Sequence, residues 1–249
     1  MKKLILFACA LCMSVCAIAQ TTFYVYKTDG SAVEYAISDV DSISFTAPAS
    51  DPANGHEYVD LGLPSGLKWA TCNVGATTPE EFGDYYAWGE TETKSNYSWS
   101  TYKWCNGSES TLTKYNTSSD YGTMDNKTVL EPEDDAARAN WGGAWRMPTD
   151  AEWTELRENC TWIWTTLNGR IGYEVKSKIN GNSIFLPAAG YRYGDVLGGA
   201  GSDGYYWSSS LGTDYPIYAW LVSFYSDYVY RYYDLRYYGR SVRPVLFGE

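Results

Sequence analysis

The chain contains a single histidine, His56, and no cysteine beyond Cys160. One imidazole beside a Pro- and Ala-rich stretch leaves no Ser-His-Asp arrangement and no His-rich metal site to assemble. Basic side chains are scarce as well. Nineteen Lys and Arg stand against thirty Asp and Glu, a formal charge of −11, and phosphate binding needs the opposite balance. No nucleic-acid partner is expected. After the first 19 residues no apolar run approaches the roughly 20 residues of a membrane span, so no membrane span is expected either. Leu, Ala and Glu do not dominate, which argues against a helical bundle.

What the chain does have is 24 Tyr, 23 Gly and 11 Trp within a composition that is 45% hydrophobic. Aromatic residues favour strands and glycines favour turns, so 249 residues of this kind predict short strands and long structured loops around a sizeable core. The expected fold class is α+β. Residues 1–19 read as an export signal: Lys2 and Lys3 precede the apolar stretch Leu4 to Val15, and Ala17-Ile18-Ala19 is a small-x-small cleavage site. A secreted, periplasmic or cell-surface product is expected. Val15 is a poor residue before an acylated cysteine, so lipid anchoring through Cys16 is the lesser reading. Cys72, Cys105 and Cys160 would survive maturation, enough for at most one disulfide.

Residues 20–45 alternate apolar and polar positions around Asp29-Gly30, which predicts a small β-hairpin and then a third strand ending at Phe45. TAPASDPANG, residues 46–55, reads as a linker before a main domain spanning 56–249. Within that domain EPEDDAARANWGG, residues 131–143, has acids first, Arg138 late and a Gly-Gly stop, which predicts a helix. Its carboxylates Glu131, Glu133, Asp134 and Asp135 could be paired for acid–base chemistry, but acids in a first helical turn are ordinarily a solvated face. Thr149-Asp150-Ala151-Glu152 has capping-box spacing, so a second helix is expected from about Asp150 to Asn159 with Trp153 and Leu156 inward.

Further on, strict alternation in AWLVSFYS puts Trp220, Val222 and Phe224 on one face and Leu221, Ser223 and Tyr225 on the other. The first set is the expected core face and the second the exposed one. Seven tyrosines then lie between Tyr225 and Tyr238. Tyrosine joins a large rigid surface to a hydroxyl that donates and accepts, at little entropic cost, as in binding loops. The bland alternative is that such rings pack on one another as cross-strand pairs.

Five segments carry a resemblance: WRMPTDAEW (145–153), FLPAAGYRY (185–193), GYYWSSS (204–210), AWLVSF (219–224) and GRSVRPV (239–245). Together, over roughly residues 56–247, they resemble the Fibrobacter succinogenes major paralogous domain (FISUMP). The resemblance implies a C-type-lectin-like fold related to the formylglycine-generating enzymes. The Tyr-rich segment before GRSVRPV also resembles the variable region of target proteins of diversity-generating retroelements, in which template adenines are mutagenised during copying. Consistent with that, residues 214–240 contain no Lys, Glu, Gln, Met, Asn or His. The Tyr, Asp, Ser, Ile, Leu and Arg found there are all reachable from an asparagine codon by changing its adenines.

The resemblance therefore implies a binding site in the segment about 212–240, formed by Tyr215, Ile217, Tyr218, Leu221, Ser223, Tyr225, Tyr228, Tyr230, Tyr232, Tyr233, Asp234, Tyr237, Tyr238 and Arg240. It would face a protein or glycan on another cell, phage or host surface. Gly239, Val242, Arg243 and Pro244 are expected to be scaffold, with the Arg243 guanidinium satisfied by carbonyls or a carboxylate. No cofactor, metal or catalytic residue is expected. Formylglycine chemistry needs a C-terminal cysteine pair that this chain lacks, and no Glu-Pro-Asn or Trp-Asn-Asp signature marks a calcium-dependent sugar site. The alternative to diversified recognition is a structural or adhesive envelope protein of the same family.

Overall fold

Alternation on either side of Asp29-Gly30 produces a hairpin in the computed structural model, which describes residues 21–27, 29–39 and 53–247. β1 (Thr22–Tyr26) pairs antiparallel with β2 (Ala32–Ala36), and Gly30 supplies a left-handed turn residue at φ +84°. A 3-10 turn, Ile37–Asp39, follows where a third strand was expected to begin. The rest of that expected strand, the export signal and most of the expected linker lie outside the described residues. The hairpin belongs to a unit spanning residues 1–49, and residues 50–249 form the other.

The larger unit is built from small antiparallel sheets, two short helices and long loops, an α+β arrangement. Its first strands are β3 (Tyr58–Asp60) and β4 (Leu67–Ala70). A loop-rich stretch carrying four 3-10 turns leads to α1 (Ala136–Trp141) and α2 (Asp150–Asn159). Then come β5 (Cys160–Leu167), β6 (Arg170–Ser177), β7 (Ser183–Pro187), β8 (Tyr191–Tyr193), β9 (Val196–Gly198), β10 (Gly204–Leu211), β11 (Tyr218–Tyr225), β12 (Tyr228–Leu235) and β13 (Val245–Phe247). The sheets are β13-β4-β3, β5-β6-β7, β8-β9 and β10-β11-β12. Because β13 pairs with β4, the end of the domain closes against its beginning.

Residues 131–143 form a shorter helix than their composition suggests. The Asp135 carboxylate accepts from the amides of Ala137 and Arg138, which caps α1 four residues late, and it also accepts from Met147 N. The expected solvated acidic face is corrected for two of its four acids, while Glu133 is exposed as expected. Asp134 and Asp135 are buried; Asp134 takes hydrogen bonds from Lys114 Nζ and Tyr115 Oη, while Glu131, between Lys114 and Lys127, has its carboxyl held down to about 2. α2 follows the capping box: Thr149 Oγ1 accepts from Glu152 N, and Glu152 Oε2 accepts from Thr149 N. Trp153 and Leu156 face inward as expected.

Five tryptophans, Trp69, Trp88, Trp145, Trp153 and Trp207, are fully buried. Four of their indole N–H groups donate to backbone carbonyls, of Ser208, Ala53, Trp207 and Tyr86 respectively for Trp88, Trp145, Trp153 and Trp207. Two buried arginines tie the C-terminal segment to distant loops. Arg243 donates to Asn73 Oδ1 and to the carbonyls of Ala70 and Phe185, matching the expectation of carbonyl partners. Arg236 donates to the carbonyls of Lys114, Tyr115 and Pro216 and to Tyr102 Oη.

Candidate recognition surface

The β11–β12 hairpin turns at Ser226-Asp227, and its register sets which side chains share a face. Tyr225 opposes Tyr228, Ser223 opposes Tyr230, Leu221 opposes Tyr232, and Ala219 opposes Asp234. On the other face Phe224 meets Val229, Val222 meets Arg231, and Trp220 meets Tyr233. β12 is the edge of its sheet, whereas β11 lies between β10 and β12.

That central position corrects the simple inside–outside reading of AWLVSFYS. Leu221 packs in one buried cluster with Trp207, Val242 and Leu246, while Val222 and Phe224 pack in another with Trp153, Tyr206 and Val245. β11 is thus covered on both faces, like a central strand of a layered fold. Leu221 is 2% exposed and Ser223 1%, so neither presents a side chain to solvent. Ile217, Tyr237 and Arg240 are corrected likewise: each is buried. Trp220, expected in the core, is only half-buried. It lies near the start of β11, where Tyr233 abuts it edge-on and the Arg231 guanidinium sits 3.3 Å from its ring centroid.

The remaining nine residues form the accessible set. Tyr215, Tyr225, Tyr228, Tyr232 and Tyr233 are exposed, Tyr228 by 61%, and Tyr218, Tyr230, Asp234 and Tyr238 are half-buried. Successive rings touch: Tyr228–Tyr225 at 5.4 Å, Tyr225–Tyr230 at 6.2 Å, Tyr230–Tyr232 at 5.9 Å, Tyr232–Tyr233 at 5.8 Å, Tyr233–Tyr218 at 5.2 Å and Tyr218–Tyr215 at 6.4 Å. A continuous strip of phenols therefore follows the sheet edge. The structure also brings in residues that the sequence assigned only to a motif. Tyr193 of β8 packs on Tyr238 at 5.3 Å, and with Val196 and Leu197 of β9 it extends the exposed apolar surface. The missed signal was Tyr191-Arg192-Tyr193 opposite Val196-Leu197-Gly198, a hairpin that leaves Tyr193, Val196 and Leu197 exposed.

Partial burial, followed by neighbouring phenols and carboxylates, holds the hydroxyls of Tyr218 and Tyr232 above their usual range. They are protonated at neutral pH and so both donate and accept. Two side chains engage the backbone near the ends of β12: Arg157 Nη2 donates to the Val229 carbonyl, and Asp234 Oδ1 accepts from Leu235 N. Arg231 Nε donates to both carboxylate oxygens of Asp150, at 2.8 and 2.9 Å, which joins the strip to the start of α2. Beneath the strip Arg240 Nη2 donates to Asp234 Oδ2, and its guanidinium lies among the rings of Tyr191, Tyr205 and Tyr238.

Elsewhere the chemistry is sparse. A cleft of about 410 Å³ lies on the β5-β6-β7 side of the domain, and its one ionisable lining residue, Glu174, accepts from Ser183 Oγ. His56 stacks on Trp141 at 3.9 Å. All three described cysteines are free thiols, and burial pushes that of Cys160 up to about 11, far from a thiolate nucleophile. Among the described residues no three His, Cys, Asp or Glu side chains are grouped to hold a metal ion, and no helix is long and apolar enough to cross a membrane.

A family described as "Domain of unknown function (DUF8237)" matches residues 164–245. No curated protein and no solved structure matches the chain. The matched span runs from within β5 to the first residue of β13, so it contains the whole of the tyrosine strip and the arginines beneath it.

Proposed function

We propose that this protein is an exported or surface-exposed recognition protein, without enzymatic activity, whose C-type-lectin-like FISUMP domain presents a Tyr-rich edge to a macromolecular target. One observation carries the reading: the tyrosine strip is continuous and accessible, while the residues that hold its sheet in place are separate and buried. Tyr225, Tyr228, Tyr230, Tyr232 and Tyr233 belong to no buried cluster, so that part of the surface can change without unfolding the protein, as retroelement-driven diversification would require. The segments behind the FISUMP resemblance fit scaffold roles. Trp145, Thr149 and Trp153 build and anchor α2, and Val242 and Arg243 are buried. The lack of any cysteine after Cys160 supports the non-enzymatic reading over formylglycine chemistry.

The test is a variant with Tyr225, Tyr228 and Tyr232 all replaced by Ser, screened with the parent chain against surface proteins, phage particles and glycans. Capture of a target by the parent and its loss in the variant is the expected result. The melting temperature should fall by less than about 6 °C, because exposed substitutions of this kind lie within about 0.5 kcal/mol each. Unfolding of the variant, or undiminished capture, would refute the assignment.

A further inference from the structure

At one end of the strip a cleft of about 110 Å³ opens between residues 212–215 and the hairpin. Its walls are Tyr215, Tyr218, Trp220 and Tyr233, and Asp214 completes its lining. The rings are steeply inclined to one another: Tyr215 to Tyr218 by 74°, Tyr218 to Tyr233 by 58°, and Trp220 to Tyr233 by 86°. Such walls enclose a compact group, whereas a sugar or nucleobase stacks on a flat face.

The electrostatics select the charge of that group. Asp214 enters no ion pair among the described residues, although it lines the cleft. Burial first, then Tyr233 and the carboxylates of Asp234 and Glu109, push up the hydroxyl of Tyr218 in the cleft wall. No lysine occurs between 214 and 240, Arg231 is already engaged by Asp150 and Arg240 by Asp234, so Asp214 is the acid of the cleft lining left without an ion pair among the described residues. The cleft's own indole shows what it favours, since Trp220 has the Arg231 guanidinium against its ring. The same pairing recurs through the fold, with Lys94 over Tyr97 and Tyr102 and Lys103 over Trp104.

We propose that this cleft takes the ammonium side chain of a lysine presented by a protein target. The assignment rests on reading the tyrosine strip as a recognition surface and adds the class of target, a basic protein epitope. The ammonium lies against the aromatic walls and pairs with Asp214.

The experiment titrates the full chain with N-acetyl-lysine methylamide, its uncharged analogue N-acetyl-norleucine methylamide, and phosphocholine, following the ligand resonances by NMR. A saturable upfield shift of the lysine ε-methylene is expected, with a Kd in the millimolar range and at least about tenfold weaker binding of the norleucine amide. Asp214→Asn and Tyr215→Ala, both on an exposed loop, should each weaken lysine binding severalfold with an unchanged circular dichroism spectrum. Equal binding of the two amides, no binding of the lysine amide, indifference to both substitutions, or tighter binding of phosphocholine would overturn the proposal. The Tyr225, Tyr228 and Tyr232 variant leaves every cleft residue intact. Loss of target capture in that variant alongside failed lysine binding removes the cleft assignment only, whereas intact lysine binding with undiminished target capture removes the broader surface reading only.

Discussion

Arg240 is 2% exposed, and among the described residues its guanidinium has one hydrogen-bonding partner, Asp234, while Nε and Nη1 have none. Burial lowers its pKa, and the Asp234 carboxylate acts against that shift. The rings of Tyr205, Tyr191 and Tyr238, at 4.2, 4.9 and 5.0 Å from the guanidinium carbon, supply the rest of its surroundings. Removing one member of such a pair leaves an uncompensated buried charge, so Asp234→Ala should destabilise the domain by about 3 to 5 kcal/mol in urea denaturation. Adding Arg240→Met to that variant should recover most of the loss, because the orphaned charge goes with it. Sequence alone grouped Asp234 and Arg240 with the exposed tyrosines because residue type and codon chemistry say nothing of depth. The half of Asp234 that faces water and the half that holds Arg240 look identical in one dimension.

Helix α2 shows what local chemistry specifies well. Thr149 and Glu152 satisfy each other's backbone amides, and both were legible from spacing, as was the inward pair Trp153 and Leu156. Thr149→Ala should cost about 1 kcal/mol. Burial pushes the Glu152 carboxyl up, but the bidentate Arg146 and the Thr149 amide outweigh it and leave the pKa below the usual carboxylate value. A depressed acid stabilises the fold above its unfolded pKa, about 4.3, and loses that contribution as pH falls through its folded value. Glu152→Gln should therefore be the less stable protein at pH 7, with the gap narrowing as urea titrations are repeated from about pH 5 down towards pH 3. Strand β11 shows the converse. Its alternation was clear, but two-sided burial depends on β10, β12 and layers distant in sequence, and these reverse the expected exposure of Leu221 and Ser223.

Across the larger unit, the C-terminal residues act as staples for loops that have little regular structure of their own. Arg236 engages three carbonyls and a phenol, drawing residues 102, 114, 115 and 216 to the base of the hairpin. Arg236→Met would leave those acceptors buried and unmatched, so the variant should unfold at several kcal/mol lower stability and be cut by protease near residues 114–116. Arg231→Met, on the exposed side, should change stability by about 0.5 kcal/mol and leave the digestion pattern unaltered. Mostly short strands, two helices and an aromatic surface near the C terminus were foreseeable from composition and periodicity. The staples were not, since Arg231, Arg236, Arg240 and Arg243 are chemically alike and only their distant partners distinguish them. The engagement of Val229 and Leu235 by Arg157 and Asp234 has a consequence for solubility. A long, flat, aromatic outer strand is a template on which other chains can add and aggregate, and side chains that occupy its backbone near both ends shorten the stretch left open to such pairing.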